Sequence, residues 1–316
     1  MNDIHEFACT LKSGVEEILS GCTISINDVR KNNGLVRTGL TIAKEGNEIA
    51  PTIYVDDMYM MYQRGTSESL LIRKVVDIYE ESRINDTAPI LNTLLEFDNA
   101  KDRLFIKLIN EDKNRRLLKD IPHRIVQDLA IVYLVYMDVS TEFSSTVTVT
   151  NTLLKTWDID EKTLYTQAVL NTPRLNCTEM CPMQEFIKEH IPAEQTPDTF
   201  AMDVTEYNFD NFTMKIDSGD GMPLYIVTNK SKIFGAASLL LPHVMEKIGE
   251  FLGSFYVLPS SIHEVLVIPA SSAMETSELI GMVRQINETE LLPEEVLSDN
   301  IYLYDKDEKT FSVIKE

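Results

Sequence analysis

A chain of 316 residues, 44% apolar and 25% charged, can bury a full core, and its 12 glycines and 12 prolines exclude a fibrous or disordered protein. Its net charge of −21 opposes phosphate backbones, which argues against direct nucleic-acid binding away from a local basic patch. Four cysteines, Cys9, Cys22, Cys177 and Cys181, are too few for a disulfide framework and point to a reducing compartment.

The N-terminal stretch carries Asp3, Glu6, Glu16 and Glu17 where a signal peptide would be basic and then apolar. The apolar run Ala130 to Met137 falls far short of the ~20 residues of a membrane span. A cytoplasmic location without membrane association is expected by elimination.

Ile4, Phe7, Ala8, Leu11, Val15, Ile18 and Leu19 recur at helical spacing, and Gly21 stops the helix. Cys9 is placed with them as a buried thiol. Thr23 to Arg30 and Leu35 to Lys44 flank Asn33-Gly34, a strong hairpin signal. Glu45-Gly46-Asn47 turns into a third strand, Ile49 to Val55. Asp56 caps a short helix that Gly65 ends, and a longer one with Ile72, Val75, Val76 and Tyr79 inward follows. After a polar break at Asn85 to Pro89, a short helix spans Ile90 to Phe97. These elements define a first domain, 1–98, and a larger α+β domain occupies 99–316.

In that second part Leu104 to Ile109 is a strand, and Ile125 to Met137 reads as one long strand covered on both faces. Ser145 to Thr150 is another strand. Asp160 caps a helix that Pro173 is expected to end. About 176–223 the chain turns irregular and acidic, with a net charge of −6 between Ala193 and Met222, and reads as a surface insertion. Leu224 to Thr228 and Phe234 to Leu241 are expected strands, and Pro242 opens a helix ended by Gly253. Phe255 to Leu258 and Val265 to Ile268 flank a turn, Thr276 or Ser277 opens a helix, and Ile301 to Asp305 with Phe311 to Ile314 closes the chain. The expected class is α+β: mixed, largely antiparallel sheets with helices packed on one side, in loosely repeated strand–strand–helix units.

Several peptides together resemble an uncharacterised bacterial family, domain of unknown function 5688. They are Asn33 to Ile42, Asn47 to Tyr54, Tyr62 to Gly65, Lys119 to Arg124, Asn171 to Leu175, Tyr225 to Asn229, Leu258 to Val265 and Pro293 to Asp299. Asp128 to Arg174 and Ser238 to Ile268 are more distantly similar to a second such family, domain of unknown function 1444. Neither resemblance implies an activity, a cofactor or a catalytic set.

The turn Pro259-Ser260-Ser261-Ile262-His263-Glu264 holds the parts of an acyl-transfer site, with Ser260 or Ser261 as nucleophile, His263 as base and Glu264 as acid. Triads assemble from distant segments, however, and no Gly-x-Ser-x-Gly elbow is present, so a hairpin turn is the simpler reading. Cys177, Cys181 and His190 have one metal-like spacing without the second ligand pair that structural zinc requires. Asp217 to Gly221 fails calcium-loop spacing, and Lys230 to Gly235 lacks the phosphate-loop glycines.

Lys101 to Arg124 carries a net charge of +4, and its Lys113, Arg115, Arg116, Lys119, His123 and Arg124 are candidate binding residues for an acidic partner. The bland alternative pairs them with the protein's own acids. Met58, Tyr59, Met60, Met61 and Tyr62 read as core and boundary filling rather than an adaptable surface. The leading expectation is a non-enzymatic binding or accessory protein without cofactor, whose partner is another protein. The alternatives are a hydrolase at Ser260, Ser261 and His263, or an acidic nucleic-acid mimic.

Overall fold

The structure, a computed structural model, describes residues 3–44, 50–81, 93–137, 146–190, 204–217, 219, 223–272 and 274–315. The turn expected at 45–47, the break at 85–89 and most of the 217–221 loop lie outside the described residues. The chain divides into two units, Met1–Asn92 and Thr93–Glu316.

In the first unit, helix α1 (Ile4–Ile18) starts where the Asp3 carboxylate accepts the His5 N–H at 3.2 Å. Strands β1 (Cys22–Arg30), β2 (Val36–Lys44) and β3 (Thr52–Tyr54) form an antiparallel meander, followed by α2 (Asp56–Gln63) and α3 (Glu68–Glu81). The β1–β2 connection spans five residues rather than two, with Asn33 and Gly34 both at positive φ. Register places Ile24 opposite Ile42 and Ile26 opposite Leu40, on the face that meets Phe7, Leu11, Val15, Leu71 and Val75. Residues one step out of phase, Ser25, Asn27, Thr41 and Thr52, hydrogen-bond to one another, because alternation sends them to the opposite face. Gly14 lets α1 approach α3: an added Cβ would lie 2.3 Å from Ile72 Cδ1. Cys9 is exposed rather than buried, because the stripe through Phe7, Ala8, Leu11 and Val15 turns it outward.

Among its described residues the second unit holds two sheets. After a helical turn, α4 (Phe97–Ala100), strands β4 (Leu104–Asn110), β5 (His123–Val126), β6 (Leu129–Tyr136) and β7 (Thr146–Thr148) form an antiparallel sheet with β6 central. The single strand expected over 125–137 is two strands, joined at Gln127-Asp128 with Gln127 at φ 60°. That polar pair breaks the apolar run, and burial of both faces belongs to β6 alone. Helix α5 (Asn151–Thr156) precedes α6 (Glu161–Leu175), whose N-terminus is capped by Asp160 through Thr163 N–H at 2.8 Å. Pro173 lies inside α6 instead of ending it at once: its missing N–H leaves the Val169 carbonyl without its helical donor, and the helix runs only two residues further, to Leu175. α6 covers the free edge of β4, with the Ile106 N–H donating to Thr172 Oγ1 at 3.0 Å.

The larger sheet has the order β15-β14-β12-β13-β11-β8-β10-β9. Its strands are β8 (Thr178–Pro182), β9 (Val204–Phe209), β10 (Phe212–Asp217), β11 (Tyr225–Asn229), β12 (Phe255–Leu258), β13 (Val265–Pro269), β14 (Ile301–Asp305) and β15 (Thr310–Ile314). Among the described residues only β8 and β10 pair in parallel. The segment 176–223 therefore is no loose insertion. It supplies β8, β9, β10 and helix α7 (Met183–His190), with Met180, Phe212 and Met214 in the core. Its short strands alternate apolar with polar residues, which hides them under the acidic composition. Residues 234–241 are a 3-10 helix, Gly235–Leu240, and not a strand. Helix α8 (Val244–Leu252) begins after Pro242, and α9 (Thr276–Thr289) packs Leu279, Ile280 and Val283 on Ile226, Leu266 and Ile268.

Candidate functional site

Pro259 ends β12, and the chain turns back into β13 through Ser260 to Glu264. One carboxylate oxygen closes this turn. Glu264 Oε1 accepts from Ser260 Oγ at 3.0 Å and from Ser261 Oγ at 2.9 Å. Ser261 Oγ accepts the backbone N–H groups of His263 at 2.9 Å and Glu264 at 3.3 Å. These are the local bonds serines favour in turns.

The His263 ring faces a different neighbour. Its Nδ1 accepts the Phe234 N–H at 3.2 Å, and its Nε2 lies 3.7 Å from Glu295 Oε1. An accepting Nδ1 places the proton of the neutral ring on Nε2, toward Glu295. Both hydroxyls thus donate to Glu264, and neither ring nitrogen serves them as a base. The turn is also covered: Ser261 is 2% exposed, and the Ile262 N–H donates to the Glu295 carbonyl at 2.9 Å.

What the turn grips is the loop Asn229 to Gly235. Lys232 has φ 58° and Phe234 φ 57°, left-handed values that cost non-glycine residues of order 1–3 kcal/mol each. Asn229 folds the loop onto itself, donating from Nδ2 to the Ile233 carbonyl at 2.9 Å and accepting the Ile233 N–H at 3.3 Å. Asn176 Oδ1 accepts the Ser231 N–H at 3.0 Å. Gly235 then passes so close to β11 that no side chain fits: a Cβ there would lie 2.3 Å from Thr228 Oγ1 and 2.6 Å from the His263 carbonyl. Thr228 Oγ1 donates to that same carbonyl at 2.9 Å.

Held in this way, Phe234 joins a column of rings. Its centroid lies 5.7 Å from His263 and 6.4 Å from Phe105, which stacks on Tyr136 at 4.1 Å. Lys107 Nζ sits 4.2 Å above the Phe234 ring, a cation–π contact. The sequence offers no periodic signal for this column. Its members lie on β4, β6, the loop and the turn, and only tertiary structure aligns them. The one local hint is Gly235 beside a bulky aromatic.

The basic candidates do not converge. Arg115 pairs with Asp112 at 2.6 Å and Lys113 with Asp299 at 3.4 Å, while Arg116 and Lys119 are exposed. His123 Nδ1 lies 3.0 Å from the Ile121 carbonyl. Lys113 and Asp299, with Arg284 and Asn287, line an open groove of about 410 Å³. Arg124 forms a two-point pair with Glu161, Nε–Oε1 at 2.7 Å and Nη2–Oε2 at 3.0 Å, and stacks over Tyr165. Cys177 and Cys181 stand four residues apart along an extended strand, roughly 13 Å at ~3.3 Å per residue, too far to share one tetrahedral ion. His190 closes α7, and its side chain lies outside the described residues.

Two buried phenols sit on carboxylates. Tyr133 donates to Glu161, and Tyr302 donates to Asp128 at 2.7 Å. Burial, then the adjacent carboxylate, raises both phenols above their usual value of 10.0. Burial raises Tyr136 and Tyr225 likewise. A raised folded value favours the neutral phenol in the native state. Native stability is therefore fully present below pH 10 and is lost as pH climbs from there toward the raised folded values. Unfolding midpoints in urea are expected to fall steeply between about pH 10 and 11.5. A flat profile over that interval, at constant ionic strength, contradicts the buried-phenol account.

A model for a family of unknown function, DUF5688, matches residues 4–306. The chain belongs to this family. Within DUF5688 the match takes in both the Pro259 to Glu264 turn and the Asn229 to Gly235 loop. The likeness to a second family gains no support. No curated protein and no solved structure matches the chain.

Proposed function

We propose that this member of DUF5688 is a non-enzymatic binding or accessory protein that engages another protein through the tip of the Asn229 to Gly235 loop. One observation carries this reading. Ile233 stands 41% exposed on a loop whose backbone is pinned by Asn229, Asn176 and His263. Pre-setting a loop lowers the ordering cost of association. His263 holds the loop through the Phe234 N–H, and Ser260 and Ser261 close the turn on Glu264, which leaves all three a positioning role. Lys230 and Ser231 beside Ile233 are exposed as well, giving an apolar anchor with a basic flank.

The test is chemical crosslinking and affinity capture with the full chain and with Ile233→Asp, which leaves every bond described above in place. A partner captured by the native protein and lost at least tenfold with Ile233→Asp supports the proposal. Equal capture by both proteins, or a partner lost only when Lys113 or Arg116 is changed, moves recognition elsewhere and overturns it.

A further inference from the structure

The bonds that pin the Asn229 to Gly235 loop are not all alike. The Asn229 and Asn176 amides hold it without any titrating proton. His263 holds it through a ring that changes charge near neutral pH. A backbone N–H only donates, so the Phe234 bond needs a bare lone pair on Nδ1. A second proton on the ring takes that lone pair and makes both ring nitrogens donors. The bond and a cationic ring therefore exclude one another. Turning the ring over does not restore the bond, because it brings the Cδ2–H to the Phe234 N–H.

The surroundings give the cation a place to go. Nε2 lies 3.7 Å from Glu295 Oε1, too long for a hydrogen bond of the neutral ring but within ion-pair reach of the charged one. The His263 side chain is 27% exposed, so protons from solvent reach it. Its backbone stays fixed meanwhile, with the N–H donating to Ser261 Oγ at 2.9 Å and the carbonyl accepting from Thr228 Oγ1 at 2.9 Å. Lys107 of β4 already sits 4.2 Å from the Phe234 centroid, and a charged imidazole stacked 5.7 Å from that centroid adds a second cation to one ring. Lys230 and Lys232 of the loop also oppose a positive charge beside it, while Glu294 next to Glu295 favours one. Glu264, in the turn itself, is engaged at Oε1 by both serine hydroxyls, and β11 brings the uncharged Thr228 and Asn229.

We propose that His263 is a proton-operated latch on this loop: the neutral ring holds Phe234, and the cationic ring releases it and pairs with Glu295. Phe234 adjoins Ile233, and its left-handed φ of 57° is strain that the Nδ1 bond helps to hold. Release lets that strain relax, and a tip that must be ordered again binds more weakly. The open loop accepts a proton that the closed loop excludes. The closed loop therefore prevails above the ordinary imidazole value of about 6.5 and is lost as pH falls through it. The latch itself needs no partner, and only its consequence, release of a bound protein in acid, rests on the loop-tip reading.

Two NMR signals of the full chain, followed from pH 7.5 to 5.5, test the latch. The His263 Cε1–H shift reads the charge of the ring. Hydrogen exchange of the Phe234 amide, corrected for its intrinsic rate, reads the bond. Protection of that amide is expected to fall about fivefold or more, with the same midpoint as the ring shift. The Val149 amide, which donates to the Tyr133 carbonyl at 2.9 Å, serves as the reference and is expected to change less than about twofold. In His263→Asn, Oδ1 stands near the place of Nδ1 and takes up no proton, so Phe234 is expected to stay protected at both pH values. Three results overturn the proposal: Phe234 protection that persists while the ring charges, a ring that stays neutral down to pH 5.5, or equal loss in His263→Asn. Should that variant not fold, agreement or disagreement of the two midpoints in the native chain decides alone. Neither signal involves a partner, so failure of the latch is distinguishable from failure of the loop-tip reading.

Discussion

Gly235→Ala is expected to destabilise the 93–316 unit by about 3 kcal/mol, the upper range for overpacking. The added Cβ meets Thr228 Oγ1 at 2.3 Å, the His263 carbonyl at 2.6 Å and the Asn229 N at 2.7 Å. Two of these are backbone atoms of β11 and of the turn, and neither can swing away as a flexible side chain does. Relief requires the loop to lift off β11, which costs the bond from the Phe234 N–H to His263 and the ring contact with Phe105. The lone tryptophan, Trp157, is 7% exposed in this unit, so its fluorescence in urea reports the unit without interference from residues 1–92. At roughly 2–4 °C per kcal/mol the thermal midpoint should fall by about 6–12 °C. A fall below about 2 °C shows that the loop moves freely at Gly235 and removes the basis for a rigid recognition tip.

Asp128→Ala is expected to cost about 3 kcal/mol, because three donors, two of them on fully buried residues, lose a half-buried carboxylate acceptor. Asp128 stands in the β5–β6 turn and accepts three hydrogen bonds, from Ser298 Oγ at 2.7 Å, Asn300 Nδ2 at 2.8 Å and Tyr302 Oη at 2.7 Å. Ser298 is 0% and Tyr302 1% exposed, so water cannot replace the lost acceptor without the core opening. The next residue back, Gln127, binds the outer edge of β15 through the Phe311 carbonyl at 2.8 Å. One turn therefore ties the four-stranded sheet to the edge of the eight-stranded sheet, and weakening it should also loosen that edge. Urea denaturation followed by Trp157 measures the loss, with Asp120→Ala, an exposed change, as a control expected within about 0.5 kcal/mol. Equal effects for Asp128→Ala and Asp120→Ala contradict the role given to this network.

The polar network around Asp128 was beyond the reach of sequence reasoning, because its members are some 170 residues apart and none has a local signature. The same holds for the ring column through Phe105, Phe234 and His263. By contrast, the α1 stripe, the Asp160 cap and the hairpins β1–β2 and β14–β15 are written in nearest neighbours, and periodicity found them. Errors fell where local and tertiary demands diverge. Phe234 to Leu241 has strand composition, yet the left-handed Phe234 and the space denied to Gly235 bend it into a 3-10 helix. Residues 176–223 are acidic and rich in proline, yet Met180, Phe212 and Met214 place their strands inside the sheet.

By itself, the sequence determined the α+β class, the amphipathic helices, most strands and the turn Pro259 to Glu264, because each depends on spacing within a few residues. Tertiary structure alone decides what the polar groups of that turn bond to. Ser260, Ser261 and His263 suggest chemistry when read in line. Folded, the hydroxyls bond Glu264 and the ring bonds Phe234, since segments from β11 and from 293–296 arrive to claim them. Only chain reversal over tens of residues brings Phe234 and Glu295 to the two nitrogens of that ring, and no spacing rule reaches that far.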